Sequence, residues 1–206
     1  SFYILSYLSD SKKKKEFFTD EELPFVSVII PAYNEEKTIE KTIKSILDSK
    51  YPAGKFEVLV VDDGSKDKTL ETARNFESDI VKVYHKENGG KGTALNFGIS
   101  KSKGEIIFSM DADTRVDSES MKRMVRYFKN PNIMSVTPAM VTEKPETIWQ
   151  RVQYIEYLTG LFLRKSFAAL ESIYIAPGAF SAYRKTFFDK HGGYEEGNIT
   201  EDLELA

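Results

Sequence analysis

The stretch Ile106-Ile107-Phe108-Ser109-Met110-Asp111-Ala112-Asp113 decides how the chain is read. Its five mostly apolar residues predict a buried strand, and two carboxylates follow at the carboxyl end. Such a pair repels itself and loses hydration unless positive charge sits nearby. Hard divalent cations supply that charge, commonly sharing their coordination with substrate phosphates. A second apolar run, Val58-Leu59-Val60-Val61, ends in Asp62-Asp63. Two acidic strand ends point to a metal-dependent enzyme acting on a phosphorylated substrate.

Outward from these runs, strands alternate with helices. Phe25-Val26-Ser27-Val28-Ile29-Ile30 predicts a first strand closed by Pro31. A helix from about Glu35 carries Ile39, Ile43, Ile46 and Leu47 on one face, with Asn34 as its cap. Tyr51-Pro52-Ala53-Gly54 breaks it, and a strand over 56–61 follows. The next helix starts near Asp67, which can cap it, and carries Leu70, Ala73 and Phe76. A strand over 80–84, the loop Gly89-Gly90-Lys91-Gly92 and a helix over 93–101 come next. After the strand 105–110, a helix over 118–129 turns Met121, Met124, Val125 and Phe128 inward until Asn130-Pro131 stops it. This alternation predicts an α/β fold with a mainly parallel central sheet flanked by helices. Ligands of such sheets sit outside the carboxyl ends of the strands. The segment Pro31-Ala32-Tyr33-Asn34-Glu35, the pair Asp62-Asp63 and the Asp111/Asp113 pair should therefore converge on one crevice.

Beyond residue 133 the alternation weakens. Residues 133–141 predict a strand interrupted at Pro138, and 147–170 read as helix with Ile148, Val152, Ile155 and Phe162 near helical spacing. Arg151, Glu156, Arg164 and Lys165 keep that helix from crossing a bilayer. Two readings stay open for it: a core or subunit contact, or a helix lying against a membrane surface.

At 206 residues one domain is the expected count. A net charge of -3 argues against a broadly basic surface, so nucleic acid is not an expected partner. There is no cysteine and only His85 and His191, which excludes thiolate and multi-histidine metal sites. Any metal should be held by oxygen. No run approaches the about 18 uncharged apolar residues of a spanning helix. The amino end, Ser1-Phe2-Tyr3-Ile4-Leu5-Ser6-Tyr7-Leu8 with lysines at 12–15, has two readings. It is the end of a removed membrane segment with its basic flank, or a surface-packed terminus.

Several motifs carry chemistry. Asp111 and Asp113 suit a magnesium or manganese ion bridging two phosphates, where it takes up charge on a departing diphosphate. Asp62-Asp63 is followed by Gly64-Ser65, which permits a tight turn, and Asp63 suits a hydrogen bond from a nucleobase nitrogen. The glycine loop 89–92 offers backbone amides and Lys91 to phosphate. Ala176-Pro177-Gly178-Ala179-Phe180 with Tyr183-Arg184 reads as loop and strand. Thr200-Glu201-Asp202 brings a carboxylate suited to a general base if it folds over the crevice, or to a helix cap. Three related readings fail. The nucleophile motif of haloacid-dehalogenase-like phosphatases and the acidic pocket of receiver domains each belong to a first strand, and the acidic runs here close later ones. A nucleotidyltransferase should carry an early glycine-rich loop with basic residues, which Pro31-Ala32-Tyr33-Asn34-Glu35 is not.

Five motifs occur in one order: Val28-Ile29-Ile30-Pro31-Ala32-Tyr33-Asn34-Glu35, Val60-Val61-Asp62-Asp63-Gly64-Ser65, Asn88-Gly89-Gly90-Lys91-Gly92, Asp111-Ala112-Asp113 and Thr200-Glu201-Asp202. In that order they closely resemble family 2 glycosyltransferases of the GT-A fold. Among these, the chain looks most like the processive membrane polysaccharide synthases that make cellulose, hyaluronan and poly-N-acetylglucosamine. The resemblance covers about residues 25–206 as one catalytic domain, with 1–24 as an amino-terminal flank.

The resemblance implies inverting, metal-dependent transfer of a sugar from a nucleotide-sugar, a UDP-sugar above all, to a glycan or lipid-linked acceptor hydroxyl. Tyr33 would stack on uracil, Glu35 and Asp63 would bind the nucleoside beside Pro31, and Lys91 would lie near the nucleotide. Asp111 would contact the sugar or ribose side, and Asp113 would ligate Mn2+ or Mg2+, with Asp111 as second ligand. Asp202 would be the base, with Glu201 beside it. The whole protein is expected to be membrane-associated with this domain facing the cytoplasm, Trp149-Gln150-Arg151 through Tyr157 resembling the membrane-proximal region. The 176–180 loop lacks the cysteine common in cellulose and hyaluronan synthases. The chain stops four residues after Asp202, without the Gln-x-x-Arg-Trp motif or channel helices of processive members. A soluble catalytic-domain fragment that binds nucleotide and metal but polymerises poorly is the expectation. The alternatives are a non-processive transferase making a polyprenyl-phosphate sugar and a non-catalytic nucleotide- or glycan-binding module. No residue reads the donor sugar.

Overall fold

The computed structural model describes residues 17–138, 147–168 and 179–195. Four parallel strands form one side of a six-stranded sheet: β1 (Val26–Ala32), β2 (Phe56–Asp62), β3 (Val81–His85) and β4 (Ile106–Met110). The order runs β3-β2-β1-β4 and continues through β6 (Phe180–Arg184) to β5 (Ser135–Val136). The last two pairings, β4 with β6 and β6 with β5, are antiparallel. Strict alternation therefore gives way to a mixed sheet after β4.

The apolar runs become strands because both sheet faces are covered. Val26, Val28, Ile30, Ala32, Val58, Val60, Ile106, Phe108 and Met110 pack to one side. There they meet α1 (Ile39–Leu47), α2 (Thr69–Arg74) and α4 (Ser120–Val125), through Ile39, Ile43, Ile46, Ala73, Met121 and Met124. Ile29, Leu59, Val61 and Ile107 face the other way, onto Ala94 and Leu95 of α3 (Lys91–Lys101) and Phe188 of α6 (Lys185–His191). Each fully buried isoleucine or leucine contributes about 1.5–3 kcal/mol. Parallel strands buried on both faces read as continuous apolar runs, which is why they were legible.

Boundaries moved for local reasons. Pro31 lies inside β1, paired with Val61, but β4 accompanies β1 only over 26–29, so its missing N–H falls where β1 has a single neighbour. The first helix starts at Ile39, four residues later than expected. Asn34 does not cap it. With φ 57°, Asn34 donates its N–H to Ser65 Oγ and accepts at Oδ1 from Lys66 N–H, at 2.9 and 2.8 Å. Asp67, the expected cap of α2, stands one residue before the N-cap position, Lys68, and accepts from Thr69 N–H at 3.0 Å. The helix expected over 118–129 is α4 followed by a 3-10 turn, Arg126–Lys129. Only Ser135–Val136 of the expected 133–141 strand is paired among the described residues. Helix α6 was not anticipated.

Helix α5 (Ile148–Ala168) stands apart from this core. Ile148 and Trp149 are 76% and 82% exposed, and Val152, Ile155 and Phe162 are also exposed. Among the described residues no helix is long and apolar enough to cross a membrane. At the opposite end of the chain, residues 17–24 strap across α4, where Asp20 pairs with Lys122 and Arg126, and Glu22 with Lys129. The Thr19 N–H and Lys129 hold the Glu22 carboxyl down to about 2.

Candidate active site at the carboxyl edge of the sheet

The register assembles the site. Ala32 pairs with Asp62, and Asp62 with His85, so three strands end abreast. Asp63 N–H donates to Ala32 O at 2.8 Å and Lys86 N–H to Asp62 O at 3.0 Å, carrying the pairing one residue past the strands. Beyond β4, Asp111 N–H donates to Ala179 O at 3.0 Å, just before β6. The loops after β1, β2, β3 and β4 thus share one edge, as expected from strand ends.

The acidic residues crowded here find three side-chain partners in one segment, His85, Lys86 and Lys91. His85 Nδ1 lies 2.7 Å from Asp62 Oδ2. Lys86 Nζ donates to Asp63 Oδ1 at 2.5 Å and to Thr93 Oγ1 at 2.9 Å. Lys91 Nζ stands 2.9 Å from Asp111 Oδ1. Asp63, almost fully buried, also accepts from Gly89 N–H at 3.1 Å and Gly90 N–H at 2.8 Å. Its carboxylate is therefore the hub that shapes the glycine loop. Gly90 turns with φ +92° into the first residue of α3, Lys91. A Cβ on Gly64 would meet Asn88 N at 2.8 Å, so the 64 and 88 backbones touch only because Gly64 has none. Asp62 Oδ1 is buried and accepts no hydrogen bond among the described residues; leaving such an atom unmatched costs about 1–3 kcal/mol.

The first loop is braced on the second. Glu35 N–H donates to Thr69 Oγ1 at 2.7 Å, while Glu35 Oε2 accepts from Thr38 Oγ1 at 2.5 Å. Burial, which would raise the Asp67 carboxyl, is outweighed by hydrogen bonds from Thr69 and the Glu36 N–H, which hold it below its ordinary value. Between these braces Tyr33 is 45% exposed at the edge of the site. Pro31 is buried within β1. In the loop after β4, Thr42 Oγ1 donates to Ala112 O at 2.7 Å and Thr114 N–H to Asp111 O at 3.1 Å. Ala112 is buried, while Asp111 is half-buried and Asp113 is exposed.

Tyr33, Glu35, Asp63, Lys91, Asp111 and Asp113 are thus on one edge. Glu201 and Asp202, and Ala176 through Gly178, lie outside the described residues, as does the 1–16 segment. Among the described residues no three His, Asp or Glu side chains form a ready-made metal cage. Asp111 and Asp113 give an all-oxygen pair that suits Mg2+ or Mn2+, ions that complete their shell with phosphate and water. His85 and Lys86 escaped the sequence reading. The available signal was positional: His85 ends β3, the strand beside Asp62-Asp63, and Lys86 follows it, where paired acids require partners.

Known proteins resemble this chain in sequence and fold. A model of glycosyl transferase family 2 matches residues 27–192. A beta-monoglucosyldiacylglycerol synthase from Nostoc sp. is 33% identical over 89% of this chain and 41% of its own length. A poly-beta-1,6-N-acetyl-D-glucosamine synthase from Staphylococcus aureus is 30% identical over 100% of this chain and 50% of its own. The chain spans about half the length of the curated relatives it matches. Among solved structures, a mannosyltransferase from Pyrobaculum calidifontis in complex with GDP-Man and Mn2+ superposes with TM-score 0.75. It is 24% identical over 99% of this chain and 58% of its own. Staphylococcus aureus TarS in complex with UDP-GlcNAc gives TM-score 0.64 at 23% identity, over 88% of this chain and 52% of its own. At such identities the likeness speaks for the fold, which is GT-A. Since the family's pattern runs from β1 to the end of α6 and takes in all four strand-end loops, the chain belongs to glycosyl transferase family 2.

Proposed function

We propose that this domain transfers a sugar from a UDP-sugar to an acceptor hydroxyl with inversion at the anomeric carbon. The observation that carries the reading is the shared edge of Tyr33, the Asp63-organised glycine loop, and the Lys91–Asp111 pair with Asp113 two residues on. In this reading the exposed Tyr33 ring stacks on the base, beside Pro31 and Glu35. A nucleoside N–H contact by Asp63 shares Oδ2 with the Gly90 N–H. Lys91, at the end of the glycine loop, opposes the diphosphate charge. A divalent cation held by Asp113 and Asp111, when bound, stabilises negative charge on the leaving diphosphate. Asp202, with Glu201 beside it, removes the acceptor proton as the hydroxyl oxygen bonds to the anomeric carbon. The bond from that carbon to the diphosphate breaks, and UDP leaves with the electron pair.

Two relatives support two acceptor classes. One is named for a glycolipid and the other for a polysaccharide. A glycan or lipid-linked hydroxyl fits both, and the exposed apolar residues of α5 support a membrane-associated whole protein. The deciding experiment is a thermal-shift screen of UDP-glucose, UDP-N-acetylglucosamine, UDP-glucuronate and GDP-mannose with Mn2+, followed by donor turnover in wild type and Asp113→Ala. A UDP-sugar should raise the melting temperature, and Asp113→Ala should abolish turnover. Stabilisation by GDP-mannose alone overturns the UDP assignment, and binding without metal-dependent turnover in the wild type favours a binding module.

A further inference from the structure

We propose that Lys91 is the resident counter-ion of the Asp111 carboxylate and gives it up only to a diphosphate, so that the divalent cation and the nucleotide bind as one coupled event. The inference rests on the reading of Asp111 and Asp113 as the cation site. Lys91 Nζ stands 2.9 Å from Asp111 Oδ1, with the two side chains 33% and 31% exposed. A cation ligated by Asp111 must therefore contend with an ammonium already seated on that carboxylate. Like charges at such range repel even where water screens them in part, and the repulsion doubles for a divalent ion.

The backbone beneath Lys91 is held, so the side chain is the part that can move. Lys91 is the first residue of α3 and follows Gly90 at φ +92°. Asp63 accepts from the Gly89 and Gly90 N–H groups just before it. Ala94 and Leu95 are buried against the sheet. One turn on from Gly92, Asn96 clasps Tyr194: its Oδ1 accepts from Tyr194 N–H at 2.7 Å, and its Nδ2 donates to Tyr194 O at 2.8 Å. With the helix pinned at its start and along its length, the ammonium travels on its flexible four-carbon stem.

The placement of this lysine also calls for an anion. Helix α3 has no acidic residue in its first turn, and its first residue is a cation at the positive end of the helix dipole. That arrangement is unfavourable within the helix and needs negative charge from elsewhere, which Asp111 supplies. Once Asp111 turns to a metal ion, the ammonium requires a new anion, and the diphosphate of the donor is one. Nucleotide should therefore strengthen cation binding, and the cation should strengthen nucleotide binding by the same factor.

The test uses the full-length protein and reads binding rather than turnover. Mn2+ affinity with and without UDP is measured by electron paramagnetic resonance of the free ion, and UDP affinity without metal by calorimetry. The variants are Lys91→Met, Lys91→Gln, Lys91→Arg and Lys101→Met, with Lys91→Gln serving if Lys91→Met does not fold. Both neutral variants should bind Mn2+ alone about 5- to 30-fold more tightly than wild type, and UDP alone about 3- to 10-fold more weakly. Lys91→Arg keeps the charge and should hold Mn2+ alone within about threefold of wild type. Lys101→Met removes the same charge from the far end of α3, about 15 Å away, and should leave Mn2+ affinity unchanged. Unchanged or weakened Mn2+ binding in a folded neutral variant overturns the inference, as does unchanged UDP binding, or equal tightening of Mn2+ in Lys91→Arg or Lys101→Met. A wild type that binds Mn2+ neither alone nor with UDP instead overturns the cation site and this inference together, which keeps the two failures apart.

Discussion

Asp63 shows what a single side chain contributes at this edge. Read in sequence, it is one of two adjacent acids; in the fold it accepts from Lys86, Gly89 and Gly90 at once. Asp63→Asn would keep the shape, remove the ion pair and set an amide N–H2 against donors. Leaving buried donors unmatched costs about 1–3 kcal/mol, and stranding the charge of a buried partner about 3–5. Lys86 is partly solvated, so a loss of about 2–4 kcal/mol is expected, read as a lower urea midpoint with unchanged slope. A loss below ~0.5 kcal/mol would show that the hub does not stabilise the loop. The pairing of the acids was legible, because adjacent carboxylates after apolar runs are visible by eye. Their individual partners were not, since His85 and Lys86 lie 23 residues downstream of them.

Among the elements, α3 links the sheet to the site. Its apolar face packs Ala94 and Leu95 on Ile29 and Leu59, and its first residue is Lys91. Gly98 lets it approach so closely: a Cβ there would lie 2.4 Å from Ile29 Cγ2. Gly98→Ala should therefore destabilise by about 1–3 kcal/mol through overpacking, despite the better helix propensity of alanine. The contrasting change is Gly54→Ala, where nothing lies within 4 Å but φ is +78°. That substitution carries only backbone strain, about 1–2 kcal/mol. Chemical denaturation of both variants checks the mechanism: if Gly98→Ala were neutral or stabilising, the close contact would not be holding α3. Helix α3 was legible through its apolar positions. The role of Gly98 was not, because a glycine inside a helix looks the same whether it bends the helix or admits a neighbour.

At the scale of the whole molecule, α5 contributes none of the buried core residues among the described residues. Trp149, the only tryptophan of the chain, is 82% exposed beside Ile148, with Val152 and Ile155 exposed one and two turns on. If this face meets a membrane, anionic phospholipid vesicles should shift Trp149 emission to shorter wavelength, and Trp149→Ala with Ile155→Glu should weaken sedimentation with the vesicles. Unchanged emission at saturating lipid would remove the membrane reading of α5. The four parallel strands, their flanking helices and the acidic strand ends were determined by the sequence itself. Runs buried on both faces, as β1, β2 and β4 are, must be mostly apolar, the edge strand β3 is apolar only in part, and adjacent acids need partners. Only the tertiary structure decided the antiparallel β5 and β6, the counter-ions from the segment after β3, and the clasp of Asn96 on Tyr194. Each depends on strand register or on contacts across 23 to 98 residues of chain, and local composition carries no record of such distances.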